Sequence, residues 1–390
     1  MREKFISKRE GSDFLQTDVE FLQSLIRIDS TNPPGNEHRV VEQFIERSEA
    51  ADLPYEVTVL SENRSNFSVT LKGSDENKGR LLLSGHTDTV KIGSQEWTHG
   101  PFDAEVDDGR LYGRGTTDMK SGLAALYLAI ESLHEEGFEP ARDVEFLATA
   151  GEEVDSVGAA HYVKTEGMES VGAIVIAEPT SGKVVAGHKG ALWIEVSLTG
   201  KTAHGAMPEQ GINAVEAMGK VIGLVEELKE EWLEEKTPLG KSSASANMIS
   251  GGIQTNVIPD QCTLNVDIRT VTPNVHDDLY EEFNRRLGSL FSGENQPEVK
   301  TRVLLDRATV VTEDDETIIR DALEVSGQDT VGGVSYYTDG SLLNPDSKIP
   351  TLIYGPGIET LAHQPNEYVE VEAFEESIEF YKDLIKKYAG

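Results

Sequence analysis

Apolar and polar positions along the chain change period several times, and each change marks an element. In DVEFLQSLIRIDS (18–30) the apolar residues recur at helical spacing, and the run ends in the turn-rich STNPPGNE. A second helix is expected over about 37–51, followed by strand-like runs YEVTVL, NFSVTLKG and GRLLLSG. KSGLAALYLAIESLHEEG (120–137) reads as an amphipathic helix stopped at Gly137. DVEFLATAG and GAIVIAEP are short and almost wholly apolar, as strands buried on both faces are. Strands alternating with helices predict an α/β sheet covered by helices on both sides.

The texture changes near Gly182. From KGALWIEVSLTGKTAHG to PEVKTRVLLDR the pattern predicts strand, helix (213–231), two strands, helix (277–291), strand. That βαββαβ order is the ferredoxin-like split βαβ, so a second domain inserted in the first is expected. The expected division is 1–183 and 309–390 for the first domain and 184–308 for the insert, with DETIIRDALEVSG resuming the alternation and VEAFEESIEFYKDLIKKY closing as a helix. A length of 390 residues agrees with two cores rather than one.

Composition narrows the function. The net charge of −34, from 69 acidic and 35 basic residues, argues against a nucleic-acid partner, which needs a basic footprint. The acids are dispersed, as on a solvated surface, and their excess resembles that of proteins from salt-loving organisms. Cys262 is the only cysteine, which fits a reducing cytoplasm, and it stands in the alternating run QCTLNVDIRT as a packed strand residue. Residues 1–16 carry no apolar core of a signal peptide, and no run of apolar residues is long enough for a membrane span.

The candidate chemistry gathers at strand ends. His86 and Asp88 follow the apolar run LLL, Glu152 and Glu153 follow VEFLATAG, Glu178 follows GAIVIA, and Asp118 precedes the helix beginning near Lys120. Taken singly, each has a plain reading: a surface histidine, a helix N-cap, a turn before proline. Together they deliver carboxylates and an imidazole to the carboxyl edge of one sheet, where open α/β sheets bind ligands. Such a gathering costs several kcal/mol unless a cation offsets it. Other patterns fail: GKT (200–202) lacks the first glycine of a phosphate loop, and neither H-E-x-x-H nor G-x-S-x-G occurs.

GHTDTV, LYGRGTTDMKSG, AGEEVDSVGA, EPT, GKTAHGAMPEQGINAVEAM, GGIQTNVIPD and LAHQPNEYV, in this order, resemble the motifs of one enzyme family. It is the dinuclear zinc amidohydrolases that include acetylornithine deacetylase, succinyl-diaminopimelate desuccinylase, aminoacylase and carboxypeptidase G. The resemblance implies a metallopeptidase-like catalytic domain with a mixed sheet, and an inserted ferredoxin-like dimerisation or lid domain. It implies two divalent metals, zinc above all, with cobalt or manganese as alternatives for nitrogen and oxygen ligands. His86 and Glu178 would bind one metal, Glu153 and His363 the other, and Asp118 would bridge them. Asp88 would hold the second N–H of His86. A cis peptide is implied at Asp118–Met119. Glu152 would be the general base, acting on the metal-bridging water. His204 would reach the partner subunit's site and steady the oxyanion, while Asn256 and Arg269 would grip a substrate carboxylate. The implied substrate is an N-acyl amino acid or a short peptide, cleaved by a deacylase or alternatively an exopeptidase; a non-catalytic binding protein is the remaining class. Asp339, in YYTDGS, lies near the family's substrate pocket and takes no assigned role, and His188 is read as structural.

Overall fold

The structure is a computed structural model and describes residues 17–390; the expected lack of a signal peptide rests on residues 1–16, outside the described residues. A nine-stranded mixed sheet forms the larger layer. Its order is Tyr55–Ser61, Arg64–Leu71, Val144–Thr149, Arg80–His86, Val171–Ile176, Thr351–Ile353, Val185–His188, Val310–Val311, with Gly332–Val334 beside Val185–His188. The four central strands, from Val144–Thr149 to Thr351–Ile353, run parallel. Their apolar runs follow from this placement: every residue of Val144–Thr149 is buried, because helices cover both faces.

The covering helices begin and end where local chemistry dictates. Asp18–Ile26 starts at a capping box in which Thr17 and Glu20 satisfy each other's backbone N–H. Lys120–Glu135 stops before Gly137, which takes the left-handed backbone (φ +69°) that glycine adopts freely. The helix is buried almost all round, sandwiched between the sheet and the long C-terminal helix Val371–Ala389. Helix Glu37–Ala50 is pinned by Phe44, whose ring centroid lies 5.4 Å from Phe67 and 5.1 Å from Tyr127. Burying one such ring contributes about 1.5–3 kcal/mol.

A separate antiparallel sheet runs in the order Ser243–Gly251, Gln261–Thr270, Gly190–Thr199, Glu298–Arg307. Numbered along the chain this is 2-3-1-4, the order of a βαββαβ unit. Gln261–Thr270 alternates buried and part-exposed residues, so one face of the sheet is covered, and helices Ala214–Glu231 and His276–Leu290 cover it. This layer has its own core, including Ile194, Met218, Leu264 and Phe283. Two features go beyond the sequence pattern: a helix at Val157–Glu166 and a three-stranded ribbon of Val106–Asp107, Arg110–Tyr112 and Tyr368–Glu370. The ribbon pairs Tyr112 with Tyr368 and so brings two distant loops together. Among the described residues no helix is long and apolar enough to cross a membrane.

Candidate metal centre

The parallel strands end at one edge, and each end delivers a side chain. His86 is the last residue of its strand; Glu152 and Glu153 follow Val144–Thr149; Glu178 follows Val171–Ile176. Asp118 comes from the loop before helix Lys120–Glu135, through a cis Asp118–Met119 bond as expected, and His363 from the loop before Tyr368–Glu370.

Asp118 stands in the middle. Its Oδ1 lies 3.2 Å from His86 Nε2 and its Oδ2 3.2 Å from His363 Nε2. Glu178 Oε1 lies 3.6 Å from His86 Nε2, and Glu153 Oε1 lies 3.3 Å from His363 Nε2. Two nests of nitrogen and oxygen donors therefore share one carboxylate. Glu152 reaches the first nest as well: ligand atoms of His86, Glu152 and Glu178 lie within 4.8 Å of one another, as do those of His86, Asp118 and Glu153. Neither imidazole pairs with Glu152, however; both turn to Asp118 and to the other two glutamates.

The electrostatics are those of a gathering short of positive charge. Among the described residues no lysine or arginine pairs with Asp118, Glu152, Glu153 or Glu178. Burial holds Glu152 well above the usual carboxylate range against the attraction of His86, with the charges of Glu178, Glu153 and Asp339 adding to it. Burial, with Asp118 next, does the same to Glu178 and raises Glu153. Against the cost of burial, hydrogen bonds from His363 and His86 keep Asp118 low. His363, bonded to Asp118 and Glu153, is pushed up to about 10. A donor set of two imidazoles and four carboxylates, with no lysine or arginine paired to it among the described residues, fits divalent cations of the zinc type.

The Asp88 expectation needs a correction of atom. His86 Nδ1 donates to the backbone oxygen of Asp88 at 3.0 Å, while the nearer carboxylate oxygen is 3.6 Å away. The carboxylate instead accepts from the backbone N–H groups of Gly151 (3.0 Å) and Glu152 (3.1 Å) and from Asn32 Nδ2 (2.9 Å). A side chain two residues along an extended segment points the same way as its neighbour, but the backbone carbonyl is nearer still. Gly151 makes the turn possible at φ +90°, where a Cβ would strike Arg64 and Asp155.

The remaining expected residues are not gathered here. His204 and Asn256 are exposed in the second layer; His204 Nδ1 accepts from Ala206 N, and the backbone oxygen of Asn256 accepts from Gly205 N. Arg269 pairs with both carboxylate oxygens of Asp267, at 2.9 and 3.2 Å. Residues given no role from the sequence do come close. Burial pushes the Tyr337 hydroxyl up to about 12, with Glu152 and Glu153 adding to it and Arg307 and Arg269 opposing. Arg307 lies over the Tyr337 ring, donates to Ser156 Oγ at 3.2 Å, and keeps a buried Nε without a partner. Tyr336 donates to the Pro179 oxygen at 2.6 Å, pinning the segment of Glu178. Asp339 is buried, accepts from Thr149 Oγ1 at 2.6 Å, and leaves its other oxygen unpaired. A groove of about 550 Å³ beside Tyr55, Arg80, Glu145 and Tyr162 contains none of the cluster residues, so chemistry rather than volume marks the site.

Comparison with known proteins bears on the family and the fold. The chain is 28% identical over 403 residues to a probable succinyl-diaminopimelate desuccinylase of Staphylococcus aureus, covering 95% of this chain and 97% of that one. It is 31% identical over 346 residues to an acetylornithine deacetylase of Pasteurella multocida, covering 85% and 86%. Among solved structures, a tripeptidase of Staphylococcus aureus superposes with a TM-score of 0.75 at 22% identity, covering 95% and 97%. A dinuclear metal-binding peptidase of Bacillus subtilis gives 0.71 at 18% identity, covering 94% and 96%. The sequence profile of peptidase family M20/M25/M40 matches residues 82–387, and the chain belongs to that family.

Proposed function

We propose that this chain is a metal-dependent amide hydrolase that cleaves an N-acyl amino acid, with the cluster around Asp118 as its active site. The observation that carries the reading is the shared carboxylate: one oxygen of Asp118 faces His86 and the other faces His363, each with a glutamate beside it. His86 and Glu178 would hold one divalent cation, Glu153 and His363 the other, with Asp118 common to both and zinc the metal the donors suit best. Cations there would polarise the scissile carbonyl and acidify the attacking water. Glu152 is the general base, because it is the one carboxylate of the cluster that makes no ion pair with either imidazole, His86 attracting it only at longer range. It takes the proton of the water and returns it to the departing amine nitrogen. Asp88 acts on both partners, orienting His86 through its carbonyl and the Glu152 backbone through its carboxylate.

The second layer is read as an inserted dimerisation domain, 184–308, between two parts of the catalytic domain, 1–183 and 309–390. Supporting this are its own core and the exposed Met248, Ile249 and Ile253 at or near its edge strand. His204, exposed and free of the cluster on its own chain, would then serve a partner subunit's site. Arg307, with its unpartnered Nε near Tyr337, joins Arg269 and Asn256 as a grip for a substrate carboxylate. A homodimer acting on small molecules follows from these readings, and the single cysteine, Cys262, is what supports placing it in the cytoplasm.

A second reading, an exopeptidase for dipeptide-like substrates, is favoured by the fold likeness to the tripeptidase. N-acetyl-ornithine, N-succinyl-diaminopimelate and short peptides, each assayed with added zinc or cobalt, separate the two. Acyl-amino acid turnover at least tenfold faster than peptide turnover is expected. Faster peptide cleavage would establish the second reading, and no turnover of any with metal loaded would overturn both.

A further inference from the structure

The two loops that supply Asp118 and His363 are joined by a buried ion pair that the catalytic reading does not use. Glu367 and Arg114 are 0% and 1% exposed. One oxygen of Glu367 accepts three backbone N–H groups of the Asp118 loop: Gly115 at 3.0 Å, Thr117 at 2.8 Å and Asp118 itself at 3.1 Å. Its other oxygen pairs with Arg114 Nη1. Arg114 Nη2 turns to the opposite loop and donates to the backbone oxygen of His363 at 3.3 Å, with a longer contact to that of Lys91 at 3.5 Å. Two further bonds staple the loops, Gly113 N to Glu367 O (2.9 Å) and Thr117 Oγ1 to Tyr368 O (2.7 Å). Trp97 covers the guanidinium at 5.2 Å, and Arg114 Nε is buried without a partner.

We infer that Arg114 and Glu367 are positioning residues whose clamp sets the reach between Asp118 and His363, and so the affinity of the His363–Glu153 metal position in particular. The asymmetry comes from the tethers. His86 ends a central strand, is 1% exposed, and is held by the Asp88 carbonyl and by its backbone N–H to Met119 Sδ at 3.2 Å. Asp118 leads directly into a buried helix. His363 has neither support: its side chain is half exposed, its backbone is left-handed (φ +65°), and its carbonyl is held by Arg114. Loosening the clamp therefore frees His363 while His86 and Glu178 stay in place. Groups one layer behind a metal ligand change affinity by about 10–100-fold when lost.

This inference rests on the proposed ligand assignment, and one titration separates the two. Metal-stripped wild type, Arg114→Lys and Glu367→Gln are titrated with cobalt(II) by calorimetry, with circular dichroism as the check on folding. Arg114→Lys keeps the charge against Glu367 and loses the fork that reaches His363; Glu367→Gln keeps an acceptor but loses the ion pair. Wild type is expected to bind two cobalt ions per chain, and failure to do so sinks the metal assignment itself. In both variants one affinity should fall about 10–100-fold and the other stay within about threefold. Equal weakening of both positions, no change in either, or loss of folding in both variants overturns the clamp as a tuner of one position.

Discussion

Glu152 and Glu153 show how much depends on neighbouring atoms at the residue scale. They are adjacent, yet Glu153 turns to His363 while Glu152 sits within ligand distance of His86 and Glu178 and pairs with neither imidazole. Their side chains diverge because successive residues of an extended or turning segment do not share a face. If the division of labour holds, Glu152→Gln lowers kcat by at least about 100-fold, the usual share of a general base, while both metals remain bound. Metal content by elemental analysis beside the rate decides it, since loss of metal with activity would make Glu152 a ligand instead. The side-chain types of the cluster were legible in the sequence, because strands that end in His or Glu display them at one edge. What Asp88 does was not: spacing predicted the residue, but whether its carbonyl or its carboxylate meets the imidazole depends on the path of a loop 63 residues away.

At the scale of elements, long periodic runs were legible and short ones were not. The helices at Glu37–Ala50 and Lys120–Glu135 lie within a residue or two of expectation, since many apolar positions vote for each. The ribbon of two- and three-residue strands carries no period, yet it brings Tyr368 beside Tyr112. His188, read from the sequence as structural, ends the strand Val185–His188, packed against Gly340 of the short helix Gly340–Leu343. Its Nδ1 donates to the Lys189 oxygen at 3.0 Å, its Nε2 has no partner, and burial lowers its pKa to about 4. The unfolded ring takes its proton near pH 6.5. Between about 6.5 and 4 the unfolded chain thus binds a proton that the folded chain refuses. The stability from a neutral His188 is complete above that window and drains away as the pH falls through it. His188→Gln should flatten this part of the acid limb in thermal midpoints recorded against pH. Parallel curves for variant and wild type would show that the ring titrates normally.

For the whole molecule, a net charge of −34 dominates behaviour in solution. Dispersed like charges repel in the compact state, and salt screens them, with a Debye length falling from about 10 Å at 0.1 M to about 3 Å at 1 M. A rise of several degrees in the melting midpoint between 0.1 M and 2 M potassium chloride is expected, and an unchanged or lowered midpoint removes the salt-adapted reading. The sequence by itself determined the alternation of strands and helices, the βαββαβ order of the second layer and the inventory of ligand-type side chains, because each is written in local period, turn chemistry or residue type. Only the tertiary structure decided which further groups meet: Arg114 with Glu367 across 253 residues, and Arg307 with Ser156 across 151. Contacts at such separations leave no trace in local pattern, since what places them is the closing of the sheet and the packing of its covering layers, to which the whole chain contributes.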